Sequence, residues 1–215
     1  MKKLWVSLLL GFTASIAVAQ TSDVGLVNMV SADVTYAPVS GIPGKVQAFM
    51  KLREGDRINI PQGGQVRVVF FEGSREERWL GPASFRAGKA AAEPISGNPA
   101  QVTTLPVGAS QRIAQVPQLV QIAKLGGVQV RGMTVRQKAS VDQQSSLSEA
   151  RVAYGAMQKD LPADDITPEL YLYAVLHEYL LYDEMKAVVD EMLRKQPDSE
   201  QAKTLASWVR SKASR

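Results

Sequence analysis

The stretch KLREGDRINIPQGGQVRVVFFEGSREERWLGP, residues 51–82, carries the strongest structural signal in the chain. Successive side chains of a strand point to opposite faces, so QVRVVFF, residues 65–71, presents apolar groups on both faces with Arg67 as its only charge. A strand with so little polar surface is predicted to be central in its sheet. A turn around Gly73 then predicts a hairpin with REERWL, residues 75–80, as the returning strand.

Five glycines in this stretch admit two interpretations. A phosphate-cradling loop needs clustered glycines that lead into a helix, so that several backbone N–H groups converge on an anion. Here the glycines are spread between strand segments, where a residue without Cβ adopts a positive φ at little cost. We therefore predict structural turns at Gly55, Asp56, Gly63, Gly73 and Gly81.

Short strand segments separated by Gly, Pro, Asn or Ser fill residues 24–87, namely VGLVNMV, DVTY, KVQAFM, RINI, QVRVVFF and ERWL. Residues 93–107 have the character of a surface connection. Two short helices are predicted near residues 109–124, because Pro117 fits the first turn of a new helix. GVQVRGMTVRQ, residues 127–137, predicts one more strand, with a bulge at Gly132.

The last third of the chain is predicted to be helical. Its helices are expected at about 147–159, 168–181, 183–195 and 199–212. The capping signals are Ser146 with Glu149, Thr167 before Pro168, and Asp198 with Gln201. KASVDQQS, residues 138–145, has the composition of a linker. The predicted class is α+β, with an all-β sheet or sandwich module over residues 20–138 and an α-helical region over residues 146–213.

The first twenty residues, MKKLWVSLLLGFTASIAVAQ, have a basic start, an apolar run and an Ala-x-Ala sequence that ends at Ala19. This pattern is typical of a secretory signal peptide over residues 1–19, with cleavage after Ala19. The apolar run is shorter than the ~18 residues that usually span a bilayer. We therefore expect an exported, periplasmic chain, and the alternative is an uncleaved N-terminal anchor.

The charge distribution excludes one class of partner. Loss of the two leader lysines lowers the formal net charge of +4 by two, and no long basic run interleaved with aromatic residues is present. Such a run is what nucleic-acid binding needs, so no nucleic-acid partner is expected. A dispersed basic set in the middle of the chain is either a solvated face or a contact for peptidoglycan or lipid head groups: Arg112, Lys124, Arg131, Arg136 and Lys138.

Residues 24–90 resemble the FecR-like periplasmic domain. The resemblance is carried by Leu52-x-x-Gly55-Asp56-x-Ile58, Pro61-x-Gly63, QVRVVFF, Gly73-Ser74 and Trp79-x-Gly81-Pro82. It implies an all-β domain outside the cytoplasmic membrane, in a family whose best understood members relay a signal from an outer-membrane receptor to a cytoplasmic sigma factor. In this chain a signal peptide stands where those proteins have a cytoplasmic region and a membrane-spanning helix. The resemblance therefore implies the extracytoplasmic interaction module alone.

The helical region resembles a divergent tetratricopeptide repeat that ends at Pro197. The apolar or aromatic residues at its signature positions are Leu172, Leu176, Leu180, Tyr182, Met185, Val189 and Met192. About one and a half repeats are visible, and a stable array needs about three. The resemblance therefore implies one helical hairpin with flanking helices that packs on the β module.

Residue types restrict the available chemistry. The chain has no cysteine and a single histidine, His177, which excludes thiol nucleophiles, thiolate metal sites and metal sites built on paired histidines. No metal, cofactor or catalytic residue is predicted. His177 is expected to be a helix-surface or hydrogen-bonded histidine rather than a catalytic one.

A carboxylate-only hydrolase is the least favoured hypothesis, and it requires two acids within about 10 Å of each other in a concave pocket. Glu76 and Glu77 are adjacent on a strand and point to opposite faces, so they cannot act as a pair. Asp164 with Asp165, and Asp183 with Glu184, are interpreted as charges that stabilise helix starts.

Aromatic residues supply the candidate partner-binding positions, which are Trp79, Tyr171, Tyr173, Tyr179 and Tyr182. The tyrosines either fill the space between helices, with their hydroxyls at the rim, or line a groove that holds a partner helix or an extended peptide. The leading hypothesis is an exported, non-enzymatic adaptor that acts through protein–protein contacts in the cell envelope. The alternative is a cell-wall or glycan-binding module that uses Trp79 and Tyr171.

Overall fold

The structure of the chain is a computed structural model that describes residues 22–126 and 141–214. The predicted signal peptide, the predicted strand over residues 127–137 and its bulge at Gly132 lie outside the described residues. None of the helices in the described ranges is long and apolar enough to cross a membrane.

The fold is α+β, as predicted, with two antiparallel five-stranded sheets and a helical layer. The strands are β1 (Asp23–Ser31), β2 (Thr35–Ala37), β3 (Gly44–Lys45), β4 (Lys51–Arg53), β5 (Arg57–Ile60), β6 (Gln65–Phe70), β7 (Arg75–Leu80), β8 (Ala83–Ala87), β9 (Ala92–Gly97) and β10 (Gln101–Thr104). The helices are α1 (Ala109–Ile113), α2 (Val116–Lys124), α3 (Val141–Asp160), α4 (Thr167–Glu178), α5 (Tyr182–Lys195) and α6 (Glu200–Ala213).

The first sheet has the strand order β10-β7-β6-β1-β4, and the second has the order β3-β2-β5-β8-β9. The strand β6 is therefore central, as its two apolar faces predicted. One face packs into a sandwich core against the second sheet, through buried residues that include Val66, Val68 and Phe70. The opposite face packs on the helices through Val69, which belongs to the same buried cluster as Ile113 and Leu170.

The molecule thus has three layers, and the first sheet lies in the middle. This arrangement explains why β6 shows no polar face, since both of its faces are covered. We call the contact between the first sheet and the helices the seam.

Two predictions in the β region were wrong, one about a connection and one about a strand. The predicted surface connection over residues 93–107 contains most of β9 and all of β10, which are the edge strands of the two sheets. Edge strands are solvated along one side, and every residue of β9 and β10 is exposed or half-buried, so their sequences show no apolar alternation. The predicted strand KVQAFM is also wrong, because only Lys45 belongs to a strand and residues 46–50 form a loop.

The predicted linker over residues 138–145 is wrong from Val141 onwards, because α3 includes that residue. Residues 143–146 are exposed, and the first buried position that follows is Leu147. A solvated helical turn uses the same polar residues as a linker, so composition did not separate the two. Ser146 lies inside α3 and does not begin it.

Two helix caps lie one or two residues from their predicted positions. Thr167 is the first residue of α4, and its backbone N–H donates to Asp165 Oδ1 at 2.7 Å. Ser199, rather than Asp198, caps α6, because its hydroxyl accepts from Ala202 N at 3.2 Å. The hydroxyl of Thr167, which was expected to cap α4, donates instead to Glu76.

Candidate functional site: the seam cluster and the seam groove

The predicted turn residues lie between strands. Gly55 and Gly63 have positive φ values of 90° and 75°. A Cβ on Gly73 would lie 1.9 Å from the carbonyl oxygen of Ala90, and a Cβ on Gly81 would lie 1.8 Å from that of Pro61. The first two glycines are thus required by conformation and the other two by close backbone approach.

Backbone amides in these turns are occupied by internal hydrogen bonds. The N–H of Gly55 donates to Ala87 at 2.7 Å, and that of Gly81 donates to Gly64 at 2.9 Å. The buried carboxylate of Asp56 accepts from the backbone N–H of Arg53 at 2.9 Å. These groups stabilise turns, and the amides of Gly55 and Gly81 are not free to converge on an anion.

Trp79 lies inside the sandwich. Its side chain is 1% exposed, its ring stacks on Phe85 with a centroid distance of 4.7 Å, and its Nε1 donates to Glu77 Oε2 at 3.1 Å. Glu77 in turn accepts from Arg75 Nε at 2.8 Å. Trp79 is therefore a core residue in this structure and is not displayed to a partner or a glycan.

The four tyrosines lie in the helical layer. Tyr171 and Tyr173 are buried, at 7% and 0% exposure, whereas Tyr179 and Tyr182 are half-buried. Tyr182 packs edge-on against Trp208 at a centroid distance of 5.6 Å. These positions fit the first interpretation, in which the tyrosines fill space between helices, and they leave Tyr171 inaccessible to a glycan.

His177 is half-buried among aromatic rings. Its ring lies 5.5 Å from Trp208 and 6.5 Å from Tyr173, measured between centroids. Burial lowers the pKa of His177, because the charged imidazolium loses solvation. Across residues 22–126 and 141–214, no group of three or more His, Asp or Glu side chains is arranged to hold a metal ion.

A buried polar cluster lies at the centre of the seam. Glu76 of β7 accepts hydrogen bonds at Oε2 from Asn28 Nδ2 at 3.1 Å and from Thr167 Oγ1 at 2.5 Å. Asn28 Nδ2 also donates to Asp165 Oδ1 at 3.3 Å. All four side chains are 2% exposed or less, so the sandwich and the start of α4 meet through polar groups that water does not reach.

Two cations complete this cluster. Arg67 of β6, at 1% side-chain exposure, lies 3.3 Å from Asp165 and donates to Asp164 at 2.8 Å. Lys195 of α5 donates to the backbone oxygen of Asp165 and to Glu169 Oε2, both at 2.8 Å. We call this set the seam cluster, and its members are Asn28, Arg67, Glu76, Asp164, Asp165, Thr167, Glu169 and Lys195.

The pKa of Glu76 is raised well above its ordinary value. Burial is the largest cause, and the adjacent carboxylate of Asp165 raises the pKa further. The hydroxyl of Thr167 and the charge of Arg67 oppose this shift without reversing it. At Asp164, which is largely exposed, the guanidinium of Arg67 overcomes partial burial and lowers the pKa.

The carboxylate pair at the seam differs from the pairs that were considered in sequence. Glu76 and Glu77 do face opposite sides of the sheet, since Glu77 accepts from Trp79 in the sandwich and Glu76 accepts from Thr167 in the helical layer. Glu76 also meets Asp165, which lies far along the chain. The two acids are 2% and 0% exposed, so a glycan cannot reach them in this structure. Two residues in the sequence could have indicated this buried polar cluster. They are Asn28 and Arg67, which are polar and lie inside otherwise apolar strand segments.

A surface groove adjoins the seam cluster. Its largest section has a volume of about 700 Å³ and lies between the end of β1, the loop before β4 and the turn between α5 and α6. Lys195 and Gln196 line it, and both also bond to the cluster or its backbone, since Gln196 Nε2 donates to Asn28 O at 3.2 Å. The groove is therefore shaped by the same contacts that close the seam.

Two further depressions continue this groove. One of about 190 Å³ shares Gln47, Ala48 and Gln201 with the largest section, and another of about 550 Å³ shares Glu200 with it. The last of these extends along α6 to Trp208. We call the three together the seam groove.

The lining of the seam groove mixes apolar groups with side-chain amides. Its apolar lining includes Met29, Val30 and Pro197. Gln47, Gln121 and Gln201 also line it, and within the described part of the chain none of these three amides makes a hydrogen bond. Amide groups that are both donors and acceptors and carry no internal partner are available to a ligand.

Comparison with protein-family models, curated proteins and solved structures finds no match for this chain. The seam groove and the cluster beside it are therefore the features that support a functional proposal.

Proposed function

We propose that this chain is an exported, non-enzymatic adaptor that binds a protein partner in the cell envelope through the seam groove. The observation that carries the proposal is a long groove with free glutamine amides beside apolar side chains. The signal-peptide pattern of residues 1–19 supports export. The resemblance of residues 24–90 to the FecR-like periplasmic domain supports an interaction role.

The chemistry of the lining favours a polypeptide as ligand. Each glutamine amide offers one oxygen acceptor and two N–H donors, which is the complement of a peptide group. Met29, Val30 and Pro197 supply apolar contacts for the side chains of an extended segment or loop. Aromatic platforms on which a sugar ring could stack are scarce here, because Phe49 and Trp208 are both 7% exposed.

Site-specific photo-crosslinking in intact cell envelopes tests this proposal. A photoreactive residue at Gln47 or at Gln201, on opposite walls of the groove, is expected to trap the same discrete protein. The matched control is Gln62, an exposed glutamine in the turn after β5 that does not line the groove. Adducts that are absent from both groove positions, or equal at Gln62, would contradict the proposal.

Sedimentation with purified sacculi separates this function from the glycan-binding alternative. The adaptor is expected to stay in the supernatant, whereas a wall-binding module would pellet. Pelleting that persists when the groove is crosslinked to its partner would favour the alternative.

A further inference from the structure

The buried charges of the seam do not balance unless one acid is neutral. Arg67 and Lys195 are the buried cations, at 1% and 6% side-chain exposure. Three acids are buried with them, namely Glu76, Asp165 and Glu169, at 2% exposure or less. Asp164 adds a further, mostly exposed negative charge against Arg67. A buried carboxylate without a cation is strongly disfavoured, so one of the three acids must hold a proton.

Contacts identify which acid that is. Asp165 lies against Arg67 and accepts a backbone N–H, and Glu169 is paired with Lys195 at 2.8 Å. Among the described residues, the side chains that donate to Glu76 are the neutral Asn28 and Thr167, both on its Oε2 atom. Its other oxygen is therefore left to carry a proton. Asp165 is the neighbouring acceptor, because the two carboxyl groups share the donor Asn28 Nδ2 and interact directly. Its Oδ2 is buried and makes no hydrogen bond within the described residues.

We infer that one proton held between Glu76 and Asp165 closes the seam, so that rising pH loosens the contact between sandwich and helices and widens the seam groove. When that proton leaves, two carboxylates face each other without water. Their repulsion acts directly between β7 and the start of α4. The presence of this proton does not depend on the proposed function. An effect of the proton on partner binding does rest on the proposed function.

The groups that face Glu76 come from every element around it. Its own strand contributes Arg78, which lies on the same face of β7 and whose charge lowers the pKa of the neighbouring Asp164. Glu77 points to the opposite face, where it accepts from Trp79, and β10 places the neutral Thr103 opposite Glu76 in the sheet. The remaining groups are Asn28 from β1, Arg67 from β6, Asp164 and Asp165 before α4, Thr167 and Glu169 on α4, and Lys195 on α5. The charge of Arg67 opposes the raised pKa of Glu76, but Arg67 is shared with two aspartates.

The direction of the pH effect follows from this arrangement. The pKa of Glu76 is raised in the folded chain, so the folded state binds a proton that the unfolded state releases. The stabilisation is full below the ordinary pKa of about 4.5 and is lost as pH rises through the folded value. Within that window the folding equilibrium constant falls by up to about tenfold per pH unit.

Glu76→Gln tests the proton, because glutamine has the shape of a neutral glutamic acid. Chemical denaturation of the full chain, at pH values that rise from the ordinary pKa of about 4.5, is expected to show a falling stability for the parent chain and a flatter profile for Glu76→Gln. The difference between the two chains cancels the opposite contribution of His177, whose pKa is lowered. Glu72→Gln, at an exposed carboxylate, is the matched control and is expected to keep the parent slope. Parallel profiles for the parent and Glu76→Gln would overturn the inference.

A spectroscopic measurement keeps the test decisive if Glu76→Gln fails to fold. Infrared difference spectra of the folded parent chain, taken just above the ordinary pKa of about 4.5, are expected to contain the band of a buried protonated carboxyl, which disappears as pH rises through the folded pKa of Glu76. Absence of that band from the folded parent chain would overturn the inference.

Spin labels across the groove test the structural consequence. The chain has no cysteine, so cysteines introduced at Gln47 and Asp198 can be labelled without interference. The distance distribution is expected to broaden or lengthen as pH rises in the parent background and to stay constant with Glu76→Gln. A pH-independent distance in the parent background would refute the coupling between proton and groove. Failure of the crosslinking experiment would leave both results intact and would remove only the adaptor proposal.

Discussion

At the scale of single residues, the seam depends on polar side chains that interrupt the apolar pattern of their strands. Asn28 lies where the register of β1 against β6 shifts between Val27 and Met29. Such irregularities re-aim a side chain, and here the amide meets two acids and a hydroxyl. The sequence shows Asn28 and Arg67 within apolar strand segments, but their partners could not be predicted because those partners include residues of the helical layer.

Arg67→Ala is expected to destabilise the chain by about 3–5 kcal/mol, because it leaves Asp165 as an uncompensated buried charge. Arg57→Ala is the control, since Arg57 is exposed on β5, and its effect should be within about 0.5 kcal/mol. Denaturant unfolding near neutral pH measures both. Equal losses in the two variants would show that the charge of Arg67 is not what holds the seam.

At the scale of elements, the sequence predicted the helices and strands correctly where one face of the segment is buried. The strand RINI was predicted with the bounds of β5, and α5 was predicted within one residue of Tyr182–Lys195. Both carry a regular apolar pattern because one face is buried and the other is not. The edge strands β9 and β10 were missed because their backbone pairs while their side chains stay in water.

The turns offer a matched pair of glycine variants. Gly73→Ala places a Cβ against the carbonyl oxygen of Ala90, so the turn between β6 and β7 must shift. Gly63→Ala meets no atom of the described residues within 4 Å, and its cost is limited to the positive φ, about 1–2 kcal/mol. We expect Gly73→Ala to lower the unfolding midpoint more than Gly63→Ala. The reverse order would mean that conformational strain, and not close approach, dominates these turns.

At the scale of the whole molecule, the sequence predicted a β module with helices packed on it, and the structure shows the two joined by one continuous core. Leu26, Phe49 and Val69 of the β region share one buried cluster with the helices. The seam cluster adds hydrogen bonds and ion pairs across the same contact. The residues that meet across this contact could not be predicted from the sequence, because they depend on which faces of separate elements come together.

We therefore expect the sandwich and the helical layer to unfold in a single cooperative transition. Trp79 reports on the sandwich and Trp208 on the helices, so Trp208→Phe and Trp79→Phe, each made in a Trp5→Phe background, isolate the two signals. Fluorescence of each variant is expected to share its midpoint with the helical circular dichroism of the same variant. Arg67→Ala in the same backgrounds weakens the seam and is expected to separate the two midpoints. Two midpoints in chains with Arg67 intact would show that the layers unfold independently.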